Sequence, residues 1–247
     1  MQRRNATVAV VGAGDFIGSA IAEKFAAEGY TVFAGRRNAD QLGVLKGKIE
    51  AAGGACEARG LDARKEEDIT AFLAEADAFA PLEVCIFNVG ANVNFPIRDT
   101  TERVFRKVWE MACYGGFLTG REAAKLMMAR GSGSIFFTGA TASLRGGKGY
   151  AAFASAKFGL RGVAQAMARE LGPENIHVAH LIIDSGVDTA FVRGRIAAAG
   201  GAEALEHLEP DQLMNPASIA ETYWRLHTQT RDAWTHELDI RPYRETF

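Results

Sequence analysis

From Ala6 the chain alternates short runs rich in β-branched residues with longer Ala-rich stretches in which apolar residues return every three or four positions. The first pattern suits strands buried on both faces and the second suits helices with one apolar side, so their alternation marks repeated βαβ units. Strands are expected over residues 7–11, 31–34, 56–61, 84–88, 134–138, 177–183 and 234–240. Helices are expected over 17–28, 39–52, 66–79, 101–129, 149–171 and 217–228. These elements predict an α/β fold: a doubly wound, seven-stranded parallel sheet with helices on both faces. Because βαβ crossovers are right-handed, a ligand crevice should lie beyond the carboxyl ends of the strands. The stretch 187–215, rich in Ala, Gly and Glu, breaks the rhythm and reads as a helical lid over that crevice. No linker or solenoid-length repeat interrupts the alternation, so residues 1–247 read as one domain.

Composition narrows the partners. With 28 basic against 30 acidic residues and a formal charge of -2, no block of like sign offers a footprint for nucleic acid or an acidic membrane. A small-molecule substrate is the expected partner. Cys56, Cys85 and Cys113 are odd in number and include no CxxC pair, so neither a disulfide framework nor a zinc site is indicated. A charged amino terminus without a following apolar segment, and the absence of any run of about 18 apolar residues, lead to the expectation of a soluble, cytoplasmic protein.

The chemistry begins where the first strand gives way to the first helix. There Gly12 and Gly14 are followed by Asp15, Phe16, Ile17 and Gly18. Glycines at such a turn let the backbone approach a pyrophosphate, and the free amides and dipole of the helix start favour its negative charge. Their position in the first βαβ unit makes the fold Rossmann-type and the ligand a dinucleotide. The second strand ends in Gly35, Arg36, Arg37 and Asn38, with no carboxylate to grip the ribose hydroxyls of NAD. Two guanidiniums instead suit the 2′-phosphate of NADP, while Asp15 opposes an extra phosphate and keeps NAD as the alternative.

Four landmarks in this order resemble the short-chain dehydrogenase/reductase family over nearly the whole chain. The glycine turn resembles that family's TGxxxGxG segment. Leu61, Asp62 and Ala63 resemble its adenine-contacting pair, and Asn88, Val89 and Gly90 its NAG turn. The run from Phe153 to Lys157 sits where the family has YxxxK. The resemblance implies binding of a nicotinamide cofactor, with Lys157 on its ribose. It also implies a homodimer or homotetramer, because relatives pair through the helices corresponding to 101–129 and 149–171. Those stretches carry more apolar positions than one sheet face can cover, and the last strand is an edge that a second contact would protect.

The family's proton-transfer groups do not carry over. Its Tyr position is Phe153, its Ser position Ala140 and its Asn position Ala112; only Lys157 remains. Phenylalanine has no ionisable hydroxyl and cannot act as an acid or base. Tyr150, about one helical turn before Phe153, and Thr141 and Ser143, flanking the Ala140 loop, are the candidate replacements. After the sixth strand the family's Pro-Gly turn is replaced by a segment containing Asp184, Val187 and Thr189. Asp184 would accept hydrogen bonds from the nicotinamide carboxamide, act as a base, or merely cap the following helix; Thr189 would reach the phosphates. His180, inside an apolar strand, reads as a core histidine. Two functions follow: an NADP(H)-dependent oxidoreductase with a surrogate acid, or with a substrate such as an activated double bond that needs none, and a nucleotide-binding protein without turnover, acting as a sensor or partner subunit.

Overall fold

The computed structural model describes residues 3–201 and 203–245; Met1 and Gln2 of the amino-terminal stretch, residue 202 within the expected lid and residues 246–247 lie outside the described residues. Seven strands form one parallel sheet: β1 Thr7–Val11, β2 Thr31–Arg36, β3 Ala55–Gly60, β4 Leu82–Phe87, β5 Gly133–Ala140, β6 Ile176–Ile183 and β7 Glu237–Ile240. Their order is β3-β2-β1-β4-β5-β6-β7, so the direction of winding reverses between β1 and β4. All five residues of β1 and all eight of β6 are buried. Even Thr7 pays no desolvation penalty inside, because its hydroxyl donates to the carbonyls of Ala76 (3.1 Å) and Ala80 (3.2 Å).

Helices α1 Ile17–Ala27, α2 Gly43–Ala51, α3 Glu66–Phe79, α4 Glu102–Trp109, α5 Gly115–Met128, α6 Ala151–Leu171, α7 Ala190–Gly200, α8 Glu203–Glu206 and α9 Pro216–His227 accompany the sheet. One apolar layer joins α1 and α9 to the sheet through Ile21, Phe25, Phe136 and Tyr223. The opposite layer joins α3, α5 and α6 through Phe72, Leu118, Phe137 and Leu160. A smaller cluster around Ala112, Ala142, Phe153 and Ala156 lies beside the carboxyl ends of the strands.

Three expected elements differ. The helix expected over 39–52 opens as a 3-10 turn, Ala39–Leu42, before α2. The single helix expected over 101–129 is interrupted by a π turn, Glu110–Tyr114, between α4 and α5. One extra residue is accommodated there, and Gly115 then passes so close to Ala63 that a Cβ would lie 2.8 Å from its carbonyl oxygen. The last strand begins at Glu237 rather than 234, because the Thr235 amide donates to the Gln229 side chain at 2.8 Å and Trp234 stacks flat on His177, 4.9 Å between ring centres. Within the segment 187–215 lie α7 and α8. Its ends meet in a bridge between Val187 and Met214, and α7 carries no buried residue.

Candidate functional site

The crevice is built where β1 and β4 part. Directly after β1 comes Gly12 with φ +95°, a region that penalises any side chain, and a Cβ there would lie 2.8 Å from the Asn88 carbonyl. A Cβ on Gly18 would lie 2.4 Å from the Gly12 oxygen. These contacts pull α1 tight against the end of β1, and no side chain caps its first turn, so that end is open to an anion. Asn88 fixes the neighbouring strand end: its amide donates to the Gly12 carbonyl (3.1 Å) and its oxygen accepts from the Thr138 hydroxyl (3.0 Å).

Two adjoining cavities share Gly12, Gly14, Asn88, Val89 and Gly90. The smaller, about 490 Å³, is lined by Arg36, Arg37, Asp62, Ala63 and Arg64. Arg36 donates to Asp15 at 2.5 Å, so the acid that sequence reasoning set against a phosphate neutralises one of the two expected arginines. Asp62 is pinned by Arg64, whose guanidinium hydrogen bonds hold the carboxyl below its ordinary range. The larger cavity, about 920 Å³, contains Phe16, Ile17, Ala140, Thr141, Tyr150, Phe153, Lys157, Val187 and Thr189.

Lys157 is the most constrained group in this cavity. Its ammonium donates to the carbonyls of Thr138 (2.7 Å) and Val89 (3.2 Å), it is 2% exposed, and burial lowers its pKa to about 8. It lies 6.0 Å from the centre of the Phe153 ring. Tyr150 reaches the cavity and accepts a hydrogen bond from Arg195 at 2.8 Å. The Thr189 hydroxyl is engaged in capping α7, accepting from the Val192 amide at 3.1 Å.

Two candidates do not join the site. Ser143 closes the tight turn Thr141–Ser143, where its fully buried hydroxyl accepts from the Ala140 amide (3.2 Å) and approaches His180 (3.5 Å) rather than the crevice. Among the described residues, Asp184 lines neither of these two cavities, and α7 is capped by Thr189 instead. Its amide donates to Ile240, and its buried carboxylate is held between Arg145 (3.2 Å) and Arg241 (3.5 Å). The turn and the β7 partner decide both orientations, and neither is local to the residue.

Sequence reasoning also missed cavity residues on α7. Phe191, Val192, Arg195, Ile196 and Ala199 all face the larger cavity. Their spacing of one, four, five and eight positions from Phe191 is one helical face, a signal the sequence did carry. Arg145 lines the same cavity, but its role as the Asp184 partner joins positions far apart in the chain. Cys56, Cys85 and Cys113 are buried and unpaired. Among the described residues no helix is long and apolar enough to cross a membrane.

Comparison with known proteins places this geometry in context. The family model described as short chain dehydrogenase matches residues 6–198. A crystal structure of a short-chain dehydrogenase from Rhodopseudomonas palustris is 63% identical, with 97% of this chain and 100% of that one covered and a TM-score of 0.84. An uncharacterized oxidoreductase, YuxG, of Bacillus subtilis is 31% identical over 83% of this chain, which spans only 30% of that protein's length. A metagenomic short-chain oxidoreductase in complex with NADP shares the fold, at 23% identity, a TM-score of 0.82 and 98% coverage of both chains. The parallel sheet, the glycine turn on β1 and the family match over residues 6–198 together establish that this chain belongs to the short chain dehydrogenase family.

Proposed function

We propose that the protein is an NADP(H)-dependent oxidoreductase acting on a small molecule without the proton donor its family ordinarily uses. The observation that carries this reading is the pair of adjoining cavities, with a glycine turn and an uncapped helix start at their junction and Arg36 and Arg37 in the smaller one. The residues fit the cofactor: Gly12 and Gly14 would admit its pyrophosphate, Arg37 and Arg36 its 2′-phosphate, Asp62 and Ala63 its adenine, and Lys157 its ribose. The NADP carried by the metagenomic family member supports the same choice. When bound, such a cofactor supplies a hydride.

The chain's own groups decide what can happen to the proton. Phe153 and Ala140 line the reaction cavity and Ala112 is buried behind it, and none of the three can move a proton. Lacking a positioned acid forfeits about 10²- to 10⁴-fold in rate, or about 3–5 kcal/mol, for a simple ketone. Of the candidate replacements, Tyr150 and Thr141 line the larger cavity, and either hydroxyl would serve as the surrogate acid. A substrate whose reduction leaves a stabilised carbanion, such as an activated double bond, takes its proton from water instead. The segment 187–215 acts as the lid: the α7 face would cover the substrate and exclude water.

The alternative, a nucleotide-binding protein without turnover, is favoured by the apolar side chains at Phe153, Ala140 and Ala112. Consumption of NADPH over a panel of ketones and activated alkenes separates the two. Turnover of alkenes above simple ketones supports the oxidoreductase; NADPH binding with no turnover on any member of the panel supports the silent protein.

The functional unit is a homodimer or homotetramer. Phe105, Trp109, Phe117 and Phe158 on α4, α5 and α6 are each about two-fifths exposed, and Trp109, Tyr114 and Phe117 stack in sequence along that surface. A second copy would cover this aromatic ladder.

A further inference from the structure

The larger cavity holds three cations, and their partners differ. Arg145 donates to the buried Asp184. Lys157 is buried and donates to two backbone carbonyls. Arg195, on the cavity face of α7, has no carboxylate partner among the described residues: its guanidinium donates to the Tyr150 hydroxyl at 2.8 Å and stands 5.9 Å from the Phe191 ring. Its neighbour on the outer face, Arg193, is by contrast paired with Asp188. The one carboxylate lining the cavity, Asp15, is engaged by Arg36.

From this arrangement we infer that the protein takes an amphipathic carboxylate as substrate, with Arg195 and Tyr150 gripping the carboxylate and the apolar part lying against Phe153, Phe191 and Ile196. The inference rests on the oxidoreductase reading and names the substrate class for the same site. A guanidinium presents two parallel N–H donors to the two oxygens of a carboxylate; Arg195 is exposed on the cavity wall, so the fork it offers is partly solvated. Tyr150 accepts from Arg195, so its own O–H is free to donate to the same anion; with Tyr150 engaged there, Thr141 or water supplies the proton of the reduction. Arg195 brings one positive charge without a carboxylate partner among the described residues and so matches a monoanion; the other such cation of the cavity, Lys157, is already held by two backbone carbonyls. Arg195 is therefore a specificity-determining residue rather than a source of protons.

Calorimetric titration of NADP⁺-saturated protein with 4-acetylbenzoate and with its methyl ester tests the inference, because the two probes share shape and differ in charge. The acid should bind about tenfold or more tightly than the ester, as expected for one charge-assisted fork. Arg195→Gln should remove that difference by weakening the acid alone, Arg195→Lys should retain part of it, and Tyr150→Phe should weaken the acid about three- to tenfold. Arg193→Gln, which removes one positive charge from the outer face of the same helix, should leave both probes unchanged. NADP⁺ affinity should be the same in all variants. Equal binding of acid and ester, no detectable binding of either at millimolar concentration, or an Arg195→Gln protein that still prefers the acid would overturn the inference. If NADP⁺ itself does not bind, the oxidoreductase reading fails, and the same acid-to-ester comparison on nucleotide-free protein still decides whether the anion site exists.

Discussion

On the proposed reading Phe153 stands where an acid would be needed, and introducing one is a direct experiment. The ring already lines the cavity and Lys157 stands 6.0 Å from its centre, so Phe153→Tyr adds one oxygen beside an ammonium that would favour its ionised form. Ala140→Ser adds an orienting hydroxyl on the same cavity wall. Ketone reduction by the double variant should rise at least about a hundredfold over the natural protein and exceed the product of the single effects, because both groups act on one substrate oxygen. Should the natural protein already reduce ketones at an ordinary rate, with Phe153→Tyr leaving it unchanged or slower, the acid lies elsewhere and Tyr150 and Thr141 are next to replace. A second residue, His227, contributes to acid stability alongside His180 and His177, whose pKa values burial also lowers. It sits between the Tyr30 hydroxyl (2.8 Å) and Ser134 (3.0 Å), and burial lowers its pKa from 6.5 to about 4. The unfolded chain therefore binds the proton more readily, so this contribution is complete above pH 6.5 and is lost progressively as pH falls toward 4. The His227 share of the fall in denaturant stability between pH 7 and pH 5 should be about 1–2 kcal/mol, and His227→Gln should reduce the slope by that amount. An unaltered slope in the variant would assign the acid sensitivity to other groups.

At the scale of elements, the β1-to-α1 turn is the least tolerant part of the chain. Gly12→Ala forces a side chain into a positive-φ position and against the Asn88 carbonyl, so it should cost about 1–3 kcal/mol in thermal stability and weaken nucleotide binding together. Loss of neither would mean that the turn relaxes freely. This turn was legible in the sequence through its position: glycines also merely connect strands to helices, but here they join the first strand to the first helix with a second strand about 20 residues on. The cavity face of α7 was legible in the same way, through helical spacing, although only Val187 and Thr189 before it were singled out. Ser143 and Asp184 were not legible, because their directions depend on a tight turn and on pairing with β7, whose own start is set by Gln229 and Trp234. The π turn was hidden for a related reason: an inserted residue changes the hydrogen-bond register of 101–129 without changing its apolar composition.

At the scale of the molecule, the parallel sheet follows from alternation that any βαβ chain must show, and its reversal between β1 and β4 fixes where a ligand can enter. Assembly and cofactor choice belong to this scale because both depend on surfaces formed by several elements. Light scattering at micromolar concentration should give the mass of a dimer or tetramer, and Trp109→Glu, placing a charge on the aromatic ladder, should reduce it. A monomeric mass for the natural protein would remove the proposed interface. The most direct test of the central claim is a fluorescence titration of NADPH and NADH into the natural protein and into the Arg36→Asp/Arg37→Ala variant. The natural protein should bind NADPH about tenfold or more tightly, and the variant should reverse that order, since it replaces the phosphate-pairing guanidiniums with a ribose-gripping carboxylate. Equal or tighter binding of NADH by the natural protein, or no binding of either nucleotide, would contradict the account.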